Sequence, residues 1–82
     1  MPTVTLYSKT DCPLCDEARK ALDRVHARVP FEREEVDITT DAGLEAAYRE
    51  RIPVVAVDGR DLFDFHVDEE ILEQRLAGAL TG

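Results

Sequence analysis

Between Pro13 and Pro30 the chain repeats its apolar residues at helical spacing, and on each side of that stretch it reads as a strand. Leu14, Ala18, Ala21, Leu22, Val25 and Val29 fall on one stripe of a helix from Pro13 to about Arg28. Pro13 suits the first helical position, where a missing N–H costs nothing. Pro30 closes the segment, because the residue before a proline is pushed out of the α region. Ahead lies "TVTLY" (3–7), β-branched and aromatic; behind lies "FEREEVDI" (31–38), a charged strand suited to a sheet edge. A strand, a helix and a strand in this order predict a parallel pair joined by a right-handed crossover.

The remainder completes a sheet. Thr40 or Asp41 can cap a short helix carrying Leu44, Ala47 and Tyr48 on one face. "PVVAV" and "RDLFDF" flank Asp58-Gly59, the strongest short-range hairpin signal. Phe63 and Phe65 alternate along the second of these strands and read as core or sheet-face residues. Asp68 or a neighbour then opens a last helix, with Ile71, Leu72, Leu76, Ala79 and Leu80 facing inward. The predicted order is β-α-β-α-β-β-α: an α/β domain with a four-stranded mixed sheet flanked by three helices, using residues 1–82 as one unit.

Composition removes several functions. The 82 residues carry 18 acidic against 10 basic side chains, for a net charge of −8, which argues against a phosphate-backbone partner and hence against nucleic acid. The apolar runs fall far short of the ~20 residues that span a bilayer. No basic stretch followed by an apolar run opens the chain, so the expected location is cytoplasmic.

That expectation bears on Cys12 and Cys15, the two cysteines, in "YSKTDCPLCDEA". In a reducing compartment a pair at this spacing is more often catalytic or metal-binding than a staple. A bridge across so short a loop would also remove little entropy from the unfolded chain. Cys12 falls at or just before the start of the first helix, where free N–H groups and the helix dipole favour thiolate. Cys15 sits one turn inside, within reach of a mixed disulfide on Cys12. Two buried small hydrophobes are the plainer alternative, disfavoured by the polar residues around the pair. A zinc site would need two more ligands, and His26 and His66 are separated in no common zinc pattern.

Element order and motifs together resemble the glutaredoxin family of the thioredoxin-like superfamily. "LYSKTDCPLC" (6–15) is similar to the family's strand, Tyr-Ser-Lys-like stretch and Cys-Pro-Tyr-Cys motif, and "RIPVV" (51–55) to its cis-proline segment. The resemblance implies a small dithiol thiol–disulfide oxidoreductase or electron carrier, with Cys12 attacking and Cys15 resolving. It implies substrate contacts from Pro13 and Leu14, a cis Pro53 facing the sulfurs, and Ile52 offering its backbone to an extended substrate. Lys9 matches the family's basic residue near the glutathione carboxylate, with Arg49 or Arg51 assisting, and Asp68 takes the acidic role at the γ-glutamyl end. No tightly bound cofactor and no metal are implied. Glutathione is a candidate co-substrate, a thioredoxin-reductase-type protein a candidate reductant, and a monomer the expected state. Two departures mark a divergent glutaredoxin-like branch: Leu14 replaces tyrosine, and "FDFHVDEE" has no glycine pair where the family has one. A redox-switch or binding module on the same fold, and an iron–sulfur scaffold shared by two chains through Cys12, are the competing readings.

Asp11, Asp16 and Glu17 crowd the cysteines. A unit charge about 8 Å from a thiolate costs roughly 0.5 kcal/mol in water and about 2 kcal/mol at an effective dielectric of 20. Lys20, four residues past Asp16, can offset it, and Arg19 and Lys9 add positive charge. The expectation is a Cys12 pKa less depressed than in the strongest cases and a correspondingly less oxidising disulfide.

Overall fold

In the computed structural model, which describes the backbone of residues 1–81 and the side chains of residues 1–78, the alternation in the first strand sets the architecture. In β1 (Thr3–Ser8), Val4, Leu6 and Ser8 are buried on one face, while Thr3, Thr5 and Tyr7 are half-buried on the other. Both faces are therefore covered, as an inner strand requires. The sheet order is β2-β1-β3-β4, with β2 (Glu32–Asp37) parallel to β1 and β3 (Val54–Val57) antiparallel to it. All four residues of β3 are buried. The acidic β2 lies at one edge, and β4 (Arg60–Asp64) at the other.

The Asp58-Gly59 turn joins β3 to β4 with φ of 50° and 83°. Two successive positive φ values are the signature of the tight hairpin turn whose twist matches the strands. A Cβ on Gly59 would meet nothing, so the backbone angle explains the glycine.

The first helix, α1 (Pro13–His26), stops two residues short of Arg28; the amides of Arg28 and Val29 both fold back onto the Val25 carbonyl at 2.9 Å. With the last helix, α3 (Glu69–Thr81), it covers one face of the sheet. Ala18, Ala21, Leu22 and Val25 from α1, and Leu72 and Leu76 from α3, pack there on Val4, Leu6, Val55 and Val57. Arg24 on α1 and Arg28 just past its end reach to Glu69 and Glu73 on α3. Such exposed pairs contribute little compared with the burial beneath them.

The short helix α2 (Ala42–Tyr48) starts at Asp41, whose carboxylate accepts from the amides of Gly43 and Leu44. None of its residues is fully buried; Leu44 and Tyr48 pack partly on a second cluster formed by Cys15, Ile38 and Ile52, and Ala47 is exposed.

Spacing misplaced four side chains. Leu14 and Ile71, read as inward, are 52% and 48% exposed, while the residues that follow them, Cys15 and Leu72, are the ones buried. Ala47 also faces solvent. Phe63 packs on the main core, but Phe65 lies past the end of β4 and is 50% exposed. Ala79 and Leu80 lie outside the described side chains.

Candidate active site

Tyr-Ser-Lys leaves the end of β1, and the chain must then reverse into α1. Asp11 makes that reversal with φ of 59°, a left-handed conformation that aspartate tolerates better than most residues. Cys12 follows in extended conformation as the N-cap of α1, and Pro13 opens the helix. The Cys15 amide donates to Cys12 Sγ at 3.2 Å, so the sulfur stands where a capping oxygen usually does. The two sulfurs are bonded to each other, with Cα atoms 5.2 Å apart, inside the range a disulfide needs. Cys15 is wholly buried, and Cys12 is half-buried at the surface. Opening that bond would leave an accessible sulfur at a helix N-terminus and a recessed one behind it.

Ile52 and Pro53 close over this loop. Their peptide bond is cis, Pro53 is fully buried, and Ile52 shares the buried cluster with Cys15, against which Cys12 and Tyr7 pack. The Ile52 amide donates to the Tyr48 carbonyl at 3.0 Å and is committed inside the fold. Tyr48 also stacks on Tyr7, with ring centroids 4.5 Å apart. Among the described residues, no group of three or more His, Cys, Asp or Glu side chains is placed to hold a metal ion.

Residues 3–77 match the glutaredoxin-like domain family (DUF836). The chain belongs to that family. This glutaredoxin-like chain is 29% identical to the uncharacterized protein Rv0508 of Mycobacterium tuberculosis, covering 99% of the chain and 89% of that protein. A structural genomics protein of X. campestris, XcR50, matches at 39% identity and TM-score 0.74, covering 92% of the chain and 96% of its own. Protein Ne2328 of Nitrosomonas europaea superposes with TM-score 0.81 at 23% identity, covering 92% and 91%. A mutant thioredoxin of Halobacterium salinarum does so with TM-score 0.68 at 16% identity, covering 94% and 73%. The last two support the thioredoxin-like fold.

In this glutaredoxin-like domain the remaining expected residues fall into separate environments. Lys9 is exposed and borders a cleft with Asp11, Asp16, Arg19 and Glu35. Arg51 lies over the Tyr48 ring at 5.1 Å and is gripped by Asp64 at 3.0 and 3.1 Å and by Asp61 at 3.1 Å. Hydrogen bonds to Asp64 first, and then Asp61, raise its pKa further, so its charge is permanent but already matched. Arg49 is exposed beside it in sequence. Asp68 caps α3 by accepting from the Ile71 amide at 3.1 Å. It also lines a groove with Leu14 that shares no lining residue with the Lys9 cleft.

The acidic flank pairs differently from the expectation. Arg19 takes Asp16, and Lys20 takes Glu17 at 3.4 Å, both one turn apart, so Lys20 does not serve Asp16. Arg19 also grips Glu35 on β2 at 2.8 Å, and the buried Ser8 hydroxyl donates to Glu35 at 3.0 Å. Arg19, opposed by partial burial and aided by Ser8, holds the Glu35 carboxyl below its ordinary range. Sequence reading placed Glu35 on a solvated edge; the signal that it bonds inward was a serine at an inward-facing position of β1.

Phe65, expected as a core or sheet-face residue, stands instead in a turn hydrogen-bonded to the cis-proline segment. Its φ is 66°, and the His66 amide donates to the Asp64 carbonyl at 2.7 Å across it, forming the rare three-residue γ-turn with a positive central φ. The Phe65 amide is anchored to the Pro53 carbonyl at 2.7 Å. The clue was indirect: this is the stretch where the expected glycine pair is absent.

Proposed function

We propose that this domain is a thiol–disulfide oxidoreductase in which Cys12 attacks and Cys15 resolves. The carrying observation is the pair's asymmetry: Cys12 is partly accessible at a helix N-cap, and Cys15 is buried one turn behind, donating its amide to Cys12 Sγ. In the reduced protein the Cys12 thiolate attacks one sulfur of a substrate disulfide. A Cys12–substrate disulfide forms, and the other substrate sulfur leaves as a thiolate that takes a proton from solvent. Cys15, losing its proton, then attacks Cys12 Sγ; the internal disulfide forms, and the second substrate sulfur leaves as a thiol. Two electrons pass from the protein pair to the substrate disulfide, and a dithiol or thiol reductant returns them.

The helix N-terminus favours the Cys12 thiolate by about 0.3–1 kcal/mol, while Asp11 opposes it. Pairing of Asp16 with Arg19 and Glu17 with Lys20 weakens the rest of the acidic field. The reading therefore includes a moderately lowered Cys12 pKa.

Equilibration with dithiol and glutathione redox buffers, followed by intact mass, tests the reading. Wild type should lose and regain two hydrogens reversibly. Cys15→Ser should trap a substrate adduct on Cys12, and Cys12→Ser should trap none. A wild-type protein that never cycles in any buffer would sink it.

A further inference from the structure

On the sheet's α1–α3 side a groove of about 460 Å³ runs beside the cysteine loop, a size at which side chains of a ligand are accommodated. Its walls include Leu14, Ala21, Phe65, Val67 and Asp68. Both ends of the apolar pair Leu14 and Phe65 are tied to the cysteine site. Leu14 stands between the two cysteines in sequence, and the Phe65 amide bonds the carbonyl of Pro53, next to Ile52.

Leu14 and Phe65 are each about half exposed, at 52% and 50%. They place exposed apolar side chains in a groove whose other walls include the charged residues Glu17, Arg24, Asp68 and Glu69. The Phe65 backbone strengthens the point. A bulky residue in a positive-φ γ-turn costs about 1–3 kcal/mol, and such strain concentrates at ligand clamps. Here the strained turn projects the ring outward instead of into the core.

Charge narrows the occupant. The groove's cation, Arg24, is held by Glu69 at 2.8 Å, whereas the carboxylate of Asp68 is bonded only to a backbone amide. Across the site, Arg51 is matched by two aspartates and Arg19 by Asp16 and Glu35. With a net charge of −8, the domain offers a small anionic thiol only Lys9 and the exposed Arg49 near the site to hold its carboxylates. Phe65 also occupies the turn at which a glutathione site would need close backbone approach.

Resting on the oxidoreductase reading above, we propose that Leu14 and Phe65 form a docking surface selecting polypeptide disulfides whose cysteine is flanked by an apolar residue and a lysine or arginine, over glutathione disulfide. The apolar flank packs between Leu14 and Phe65, and the basic flank meets Asp68. The sulfur exchange is unchanged: two electrons leave the cysteine pair, and the peptide disulfide becomes two thiols.

The test measures second-order rates of reduction by the pre-reduced protein. The substrates are a peptide disulfide with Leu and Arg beside its cysteine, the same peptide with Gly and Glu there, and glutathione disulfide. Wild type should reduce the Leu-Arg peptide at least ~10-fold faster than either other substrate. Leu14→Ser and Phe65→Gly should each cut that preference by ~5-fold or more, the scale of a residue central to a small interface. Glycine suits the positive φ, so Phe65→Gly removes the ring without disturbing the turn. Ile71→Ser, which removes an equally exposed apolar side chain lining a different cleft, should leave the preference intact. Equal rates for all three substrates, or an unchanged preference in both groove variants, would overturn the proposal while leaving oxidoreductase activity standing. A dimer in sedimentation that Phe65→Gly dissolves would also overturn it, assigning the patch to a second copy of the chain. If the protein reduced no disulfide at all, including a small neutral one, the oxidoreductase reading itself would fall, and this inference with it.

Discussion

One face of the sheet lies under α1 and α3, where Leu22, Val25, Leu72 and Leu76 are fully excluded from water. The other lies under the seven-residue α2, which has no fully buried residue and packs through Leu44 and Tyr48. The cysteine loop belongs to both. Cys15 is on α1, yet its buried neighbours Ile38 and Ile52 belong to the thinner side. Stability is concentrated where two long helices can bury whole side chains, and the candidate chemistry sits at the seam where cover is lightest. A buried leucine contributes about 1.5–3 kcal/mol of transfer free energy, so the difference between the faces is large on the scale of a small domain's net stability.

The contrast can be broken most directly by truncation. Leu22→Ala should lose about 2–5 kcal/mol, measured by urea denaturation, because it leaves a cavity in the two-helix core. Leu44→Ala should lose about 1 kcal/mol, since its site is already half open. Equal losses would mean that α2 carries more of the fold than its burial indicates.

The rim of the site offers a sharper case. Phe63→Gly should cost upwards of about 2 kcal/mol, since that ring packs on the core. Phe65→Gly should be neutral or stabilising by up to about 1 kcal/mol, because relief of the positive φ offsets the lost half-exposed ring. A large destabilisation of Phe65→Gly in the same denaturation assay would show that the ring is structural.

The smallest expected effect concerns pH. Glu35 titrates below its ordinary value because Arg19, and then Ser8, bond its charged form. A carboxyl with a depressed folded-state pKa stabilises fully above its unfolded value, near 4.3, and ceases to do so as pH falls through the folded value. Glu35→Gln should therefore lose at most about 1 kcal/mol at neutral pH, after allowance for solvent screening of a partly exposed pair. The gap to wild type should start to narrow as pH falls below the unfolded value, near 4.3, and close once pH is below the depressed folded value. A gap that persisted in acid would assign the loss to packing instead of charge.

Much of this was legible because it is local. Pro13 and Pro30 bracket α1, Asp41 and Asp68 cap their helices, and Asp58-Gly59 turns the hairpin, each through interactions spanning a few residues. The cysteine pair and Ile52-Pro53 were legible as motifs, and the fold brings Ile52 into the cysteine cluster. What failed was the surroundings of particular side chains, which depend on distant neighbours, although the mixed sheet itself was foreseen. Leu14 and Ile71 fit helical spacing, but spacing does not say which of two adjacent apolar residues is covered: Cys15 and Leu72 are buried and their predecessors are not. Arg51 reads as a free cation until the hairpin carries Asp61 and Asp64 to it. Phe65 gave no turn signal, since positive φ is ordinarily announced by glycine or asparagine.

The sulfur that caps α1 links a covalent event to a single proton. Sγ of Cys12 accepts the Cys15 amide in the oxidised form, as a weak, neutral acceptor. In the proposed cycle, once the bond is reduced and Cys12 is a thiolate, the same amide would face a full negative charge, and charge-assisted hydrogen bonds are shorter and roughly twice as strong. If the pair cycles as proposed, the Cys15 amide resonance is a built-in spectator of it: its chemical shift would report electron count and ionisation at Cys12 without any label on the sulfur.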